Sequence, residues 1–267
     1  MSRGTVISNV NGGKMKKSMK AGALLVAGVF ALSGCSSSDE GTESAAESSP
    51  SATATPTPTP TLAVGQEQYT PAELESALAA VLADRGMDGE VITQEDLAPM
   101  LEGAPDSLAG VAITPEQCDV LAAADIAGVL ESANMAMIML SDTDTLTIAS
   151  HPSASVMDKQ VEDNTRLLDE CAEFQMEISG QVINASVEAL DASTEGQTTQ
   201  AFRTSIATVD PATDAEQVTD TVQVSAVSGT TNVQVSMTGG LSSAAESDQA
   251  IAQAETIINE VLAELEK

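Results

Sequence analysis

The apolar positions of this chain follow two rhythms. From residue 70 to about Cys171 most recur every three or four residues, the spacing of one helix face; from Phe174 to Met237 they recur every second residue, the spacing of one strand face. The first helix is predicted at Thr70-Pro71-Ala72-Glu73, where Thr70 is the N-cap, Pro71 takes the first helical position and Glu73 completes a capping box. Leu74, Leu78, Val81 and Leu82 share its inward face, and Gly86 stops it. Thr93 opens a second, shorter helix with Leu97, Met100 and Leu101 inward, and Pro99 inside it keeps it brief.

Leu108 to Ile113 reads as a strand, after which Thr114-Pro115-Glu116-Gln117 repeats the first helix signature and predicts a helical stretch through Cys118, Leu121, Ile126, Val129 and Leu130. Met135 to Leu140 and Thr145 to Ser150 read as a hairpin turned at Ser141-Asp142-Thr143-Asp144. Ser153 or Ser155 caps the next helix, which carries Met157, Val161, Leu167 and Leu168 inward and ends at Cys171. Five strands follow, over 174–179, 181–190, 199–209, 218–227 and 231–237. Their short turns make them an antiparallel meander. In the last of them Val233, Val235 and Met237 alternate with Gln234 and Ser236, which predicts one wet face. Ser243-Ala244-Ala245-Glu246 caps a closing helix with Ile251, Ala254, Ile258, Val261 and Leu265 on one stripe. The fold class expected is α+β, an antiparallel sheet meander packed by helices on one face.

The first 69 residues break both rhythms. Met15-Lys16-Lys17-Ser18-Met19-Lys20 forms a basic start, and Met15 is as good an initiator as Met1. The apolar run from Ala21 to Leu32 is about 12 residues, shorter than the roughly 20 that span a bilayer. It ends in Leu32-Ser33-Gly34-Cys35, which resembles the bacterial lipobox. That resemblance implies cleavage before Cys35, a diacylglycerol thioether with further acylation such as palmitate on Cys35, and attachment to the extracytoplasmic face of the cell membrane. Residues 35–69 are rich in Ser, Thr, Ala and Glu and close on Thr55-Pro56-Thr57-Pro58-Thr59-Pro60-Thr61, a composition that buries no core and serves as a disordered, semi-rigid tether. The expected organisation is a lipoprotein signal peptide over 1–34, a tether over 35–69, an N-terminal helical segment over 70–104 and an α+β sensor- or binding-like domain over 105–267.

Charge sharpens this division. All five basic residues of the leader precede Cys35, and no acidic residue does. The remainder holds five basic against forty acidic residues, a net charge of −35 against −30 for the whole chain. Such a surface repels the phosphate backbone, so nucleic acid is not an expected partner. Beyond the leader the aromatic residues are Tyr69, Phe174 and Phe202, too few for a sugar- or base-stacking platform. With Cys35 assigned to the lipobox, Cys118 and Cys171 remain, and outside the cytoplasm such a pair is most simply a disulfide. It closes a loop of about 53 residues, worth on the order of 4 kcal/mol in the chain-entropy account.

Candidate chemistry is sparse. His151 is the single histidine, and without a second His, a Cys or a Gly-x-Ser-x-Gly around it the ring is expected in a surface loop. Asp142-Thr143-Asp144 could offer alternate oxygens to Ca²⁺, but Asp also favours turns through its own backbone hydrogen bonds, and no closing Glu stands at EF-hand spacing. Met135, Met137 and Met139 are read as core filler rather than as a copper site. No catalytic residue, metal ligand or cofactor site is expected, and the chain is not expected to be an enzyme.

Leader, Thr/Pro tether and cysteine placement together resemble small lipoproteins of actinobacterial envelopes. Ile113-Thr114-Pro115-Glu116-Gln117-Cys118, Cys171-Ala172-Glu173-Phe174, the hairpin around Asn232-Val233-Gln234-Val235 and the closing helix resemble the extracellular sensor domain of some receptor serine/threonine kinases. The likeness covers about residues 105–265; those domains carry two disulfides, and this chain has cysteines for one. It implies binding or sensing without catalysis. The expected partners are the membrane, through the lipid on Cys35, and a small ligand or a cell-wall or envelope protein. The alternatives are a structural or partner-binding envelope lipoprotein with no small ligand and, further off, a carboxylate-based hydrolase.

Overall fold

The structure is a computed structural model that describes residues 64–101, 111–121, 132–178, 181–209, 215–239, 241 and 243–267. The leader, Cys35 and the Thr/Pro tract lie outside the described residues, as does the expected helical continuation through Ile126, Val129 and Leu130.

The chain runs α1 (Pro71–Arg85), β1 (Ile92–Thr93), α2 (Gln94–Leu101), β2 (Val111–Thr114), a 3-10 helix (Glu116–Leu121), β3 (Asn134–Met139), β4 (Thr145–Ser150), α3 (Ala154–Glu170), β5 (Glu173–Ile178), β6 (Gln181–Ala189), β7 (Thr198–Val209), β8 (Glu216–Ser228), β9 (Thr231–Thr238) and α4 (Ala244–Leu265). All nine strands form one sheet in the order β1-β3-β4-β9-β8-β7-β6-β5-β2. Every neighbouring pair is antiparallel. The α+β class and the meander are as the residue rhythm predicts. The meander is β5 to β9, and the β3–β4 hairpin extends it along the free side of β9.

Local chemistry sets the helix ends. Glu73 Oε2 accepts from the Thr70 backbone N–H at 2.8 Å, Thr70 Oγ1 accepts from Glu73 N–H, and Gly86 closes α1 in the left-handed region at φ 61°. Ser243 and Glu246 repeat the box on α4, and Thr93 and Asp96 build a shorter version on α2. These acceptors satisfy first-turn N–H groups that have no partner inside the helix. The signature at Thr114 gives a different outcome. Thr114 is the last residue of β2, and Cys118 N–H bonds to the Pro115 carbonyl at 2.9 Å, the three-residue closure of a 3-10 turn. The tighter turn carries Cys118 to its partner.

Two apolar clusters hold the sheet from opposite sides. On one face Leu74, Leu78, Val81 and Leu82 of α1 and Ile251, Ala254, Ile258, Val261 and Leu265 of α4 pack over Ala136, Ile138, Leu146, Ile148, Val222, Val224, Val233 and Val235. Each fully buried Leu, Ile or Val contributes on the order of 1.5–3 kcal/mol relative to leaving it in water. Arg85 joins the two helices through Glu260 at 2.6 Å. On the other face Ile113, Phe174, Met176, Ala185, Val187 and Phe202 surround the buried disulfide Cys118–Cys171, whose Cα atoms are 5.8 Å apart. This second face also receives α3: Asn164 donates to Gln200 Oε1, and Gln200 shares the parity of Phe202 along β7. The helix cover thus extends to the second side of the sheet.

Residues 64–69, expected to be the last of the tether, belong to the fold. Thr230 N–H bonds to the Gly65 carbonyl at 2.7 Å, Tyr69 N–H to Ser150 Oγ, Asn134 Nδ2 to the Tyr69 carbonyl, and Tyr69 OH to the Leu265 carbonyl. Val64 is buried in the larger cluster.

Candidate functional site

The register places polar side chains in rows on the α3 face. Gln200 of β7 stands opposite Ser225 of β8, which stands opposite Gln234 of β9, which stands opposite Thr147 of β4. The neighbouring row is Phe202, Gln223, Ser236 and Thr145. Strands are about 4.8 Å apart, so each row crosses four strands in roughly 14 Å. Asn232, Gln234 and Ser236 are alternate residues of β9 and point the same way. This is the face that the alternation with Val233, Val235 and Met237 predicts to be wet. The structure covers it: Asn232 and Ser236 are each 7% exposed and Gln223 is 3% exposed. Alternation reports which residues share a face; it carries no information about what a distant helix lays over that face.

Helix α3 supplies the other wall. Met157 is fully buried, and Gln160 and Asn164 are buried beside it. The orientation of Asn164 follows from a chain of bonds. Gln200 Nε2 donates to the Val161 carbonyl at 3.2 Å, which can only accept, so Gln200 Oε1 faces Asn164 and accepts from its Nδ2 at 3.2 Å. Asn164 Oδ1 is left over. Among the described residues Asn164 Oδ1, Asn232 Oδ1, Gln234 Oε1 and Ser236 Oγ are buried without a hydrogen-bond partner. A buried unpaired polar group costs about 1–3 kcal/mol, and native proteins satisfy nearly all of them. These four lie together on the side of the sheet that α3 covers, one on α3 and three on β9.

The expected disulfide is present and has a positional role. It joins the 3-10 helix to the junction between α3 and β5, so the C-terminal end of α3 is held at the sheet. Along α3, Asp163 is 8% exposed and lies between Lys159 Nζ at 2.7 Å and Arg166 Nη2 at 3.0 Å.

Other residues singled out in the sequence fall elsewhere. His151 is not in a surface loop: it is 2% exposed, its backbone N–H donates to the Thr230 carbonyl at 2.8 Å, and among the described residues its ring Nδ1 has no partner. Burial lowers its pKa from the ordinary histidine value, because the charged ring loses water. Its backbone is fixed by the remote β8–β9 turn at Thr230, a pairing invisible in the local sequence. Met135, Met137 and Met139 are not core filler either. Ala136 and Ile138 enter the core from β3, while the methionines lie on the α3 face, with Met139 38% exposed. Asp144 Oδ1 accepts from Thr238 N–H at 3.0 Å, so its carboxylate ties the β3–β4 turn to the end of β9. Among the described residues no three His, Cys, Asp or Glu side chains gather as a metal site, and no helix is long and apolar enough to cross a membrane.

These features define a one-sheet α+β domain with a disulfide at one end of a covered polar face. Of solved structures, the extracellular domain of PknH from Mycobacterium tuberculosis is similar at a TM-score of 0.43 and 12% identity, over 75% of this chain and 98% of that one. No family model matches the chain, and no curated protein does.

Proposed function

We propose that this chain is a lipid-anchored, extracytoplasmic binding or sensor-type domain without enzymatic activity, and that its ligand contacts the polar rows beneath α3. The observation that carries the reading is the set of four unpaired buried oxygens on α3 and β9. Fold stability alone gives no reason to keep the amides of Asn232 and Gln234 there, since apolar groups of similar shape can be nearly neutral at positions without a partner. A ligand that needs those oxygens does give a reason. The lipobox at Cys35, the Thr/Pro tract and the −35 charge beyond it support an anchor and a spacer for this domain.

The test is a stability measurement on Gln234→Leu and Asn232→Leu, two β9 amides whose buried oxygens are unpaired among the described residues. A binding site kept at the expense of stability predicts variants at least as stable as the parent chain in urea. A loss of more than about 1 kcal/mol in both would show the amides to be structural and would remove the basis of the reading.

A further inference from the structure

We infer that the ligand of the α3-face rows is a small organic ammonium, a primary amine on a short aliphatic stem. The inference rests on the binding-domain reading above and adds the chemistry of what is bound.

The first reason is the polarity of the free atoms. Asn164 Oδ1 is an acceptor, and the Asn232 and Gln234 amides and the Ser236 hydroxyl can each turn an acceptor toward the same ligand. The orientation of Asn164 is fixed by the Val161–Gln200–Asn164 chain of bonds. A group that satisfies several amide oxygens must present several donors. An ammonium presents three.

The second reason is charge. The five basic residues beyond Cys35 each have a partner already. Arg85 holds Glu260, Lys159 and Arg166 hold Asp163, and Lys267 holds Glu264. Arg203 is on the opposite face, donating to the Leu241 carbonyl and Ser247 Oγ. Among the described residues each Lys and Arg already has a partner, so none is shown turned to an anionic ligand there. The −35 charge beyond Cys35 raises the local concentration of cations and lowers that of anions.

The third reason separates an organic cation from a metal ion. Hard divalent ions take carboxylates among their oxygen ligands. The rows hold amides and hydroxyls, and the nearest carboxylate along α3, Asp163, already has two cationic partners. The same face carries an apolar strip: Met135, Met137 and Met139 stand one strand beyond Ala149, Thr147 and Thr145. Flexible thioethers accommodate aliphatic stems of varied shape, whereas a hydrated metal ion gains nothing from them.

Calorimetric titration of the full chain at high salt tests this with three probes: 1,4-diaminobutane, neutral sorbitol and anionic glutarate. The parent chain is compared with the Asn164→Leu/Gln234→Leu double variant. Heat with diaminobutane that weakens at least tenfold in the double variant supports the inference. Equal diaminobutane binding by both chains overturns it, since the amine is then adsorbed on the acidic surface. Sorbitol or glutarate binding that the double variant loses overturns the amine but leaves the binding reading standing. No heat with any probe also overturns the amine; the urea stability of Gln234→Leu and Asn232→Leu then decides separately whether the binding reading stands.

Discussion

Gly65 and Gly229 meet backbone to backbone. A Cβ on Gly65 would overlap the Ser228 carbonyl, and one on Gly229 would overlap the Gly65 carbonyl. Both have positive φ, 76° and 53°, where a side chain is strained even in open space. The contact seats the start of the described fold on the β8–β9 turn, with Thr230 N–H bonded to the Gly65 carbonyl. Gly65→Ala and Gly229→Ala are each expected to destabilise the fold by about 1–3 kcal/mol. They should also expose residues 64–69 to protease before the rest of the domain, which limited proteolysis with mass spectrometry would show. Unchanged cleavage and an unchanged melting temperature would mean that this contact does not hold the segment.

The buried His151 gives the stability a pH dependence of definite sign. Its folded pKa is below the unfolded value near 6.5, so the unfolded chain binds the proton more readily. The His151 contribution is complete above that value and is lost as pH falls below it toward the folded pKa. Acidification also protonates carboxylates and relieves repulsion in this acidic chain, so the comparison must be differential. Stability of the parent minus that of His151→Gln is expected to fall between pH 7.5 and 5 in urea melts. A flat difference would show that the ring is solvated in the folded state.

The disulfide can be tested through its loop. In the chain-entropy account a closure of 53 residues contributes about 4 kcal/mol. The Cys118→Ser/Cys171→Ser variant is expected to lose up to that amount in urea unfolding. Because the bond holds the end of α3, amide exchange should rise in α3 and β5 more than in α1 and α4. Exchange that rises uniformly would argue that the bond acts on the unfolded chain alone.

The proposed anchor rests on one sulfur, that of Cys35. Cys35→Ala is expected to move the chain from the membrane fraction to the soluble fraction of its envelope, with loss of the mass of the lipid. Retention in the membrane fraction would rule out the lipobox as the means of attachment.

The helix caps offer a small, clean effect. Thr70→Ala and Ser243→Ala each remove an acceptor that serves the N-terminal turn, and each is expected to cost about 1 kcal/mol. Urea midpoints measure both. Thr114→Ala, at a residue whose matching motif ends a strand and precedes a 3-10 turn, is expected to cost less.

Much of the architecture was legible in the order of residues. Thr70, Thr93 and Ser243 mark real helix starts because a cap is made by residues three apart, within reach of local sequence. The strands from Phe174 to Met237 emerge from period-2 alternation because each residue's side of a strand depends only on its own parity. Cys118 and Cys171 were a pair once Cys35 was set aside. The same motif at Thr114 failed because cap geometry competed with two distant demands, the pairing of β2 with β5 and the reach of Cys118 to Cys171.

The candidate site was only half legible. Sequence alone determined that Asn232, Gln234 and Ser236 share one face of β9 and that this face is polar. Tertiary structure decided that α3 lies over it, that Gln200 and Ser225 line up with Gln234 from neighbouring strands, and that His151 turns inward. Alternation is a property of one strand, whereas burial depends on which remote elements pack against it, and the chain order of polar residues does not record that.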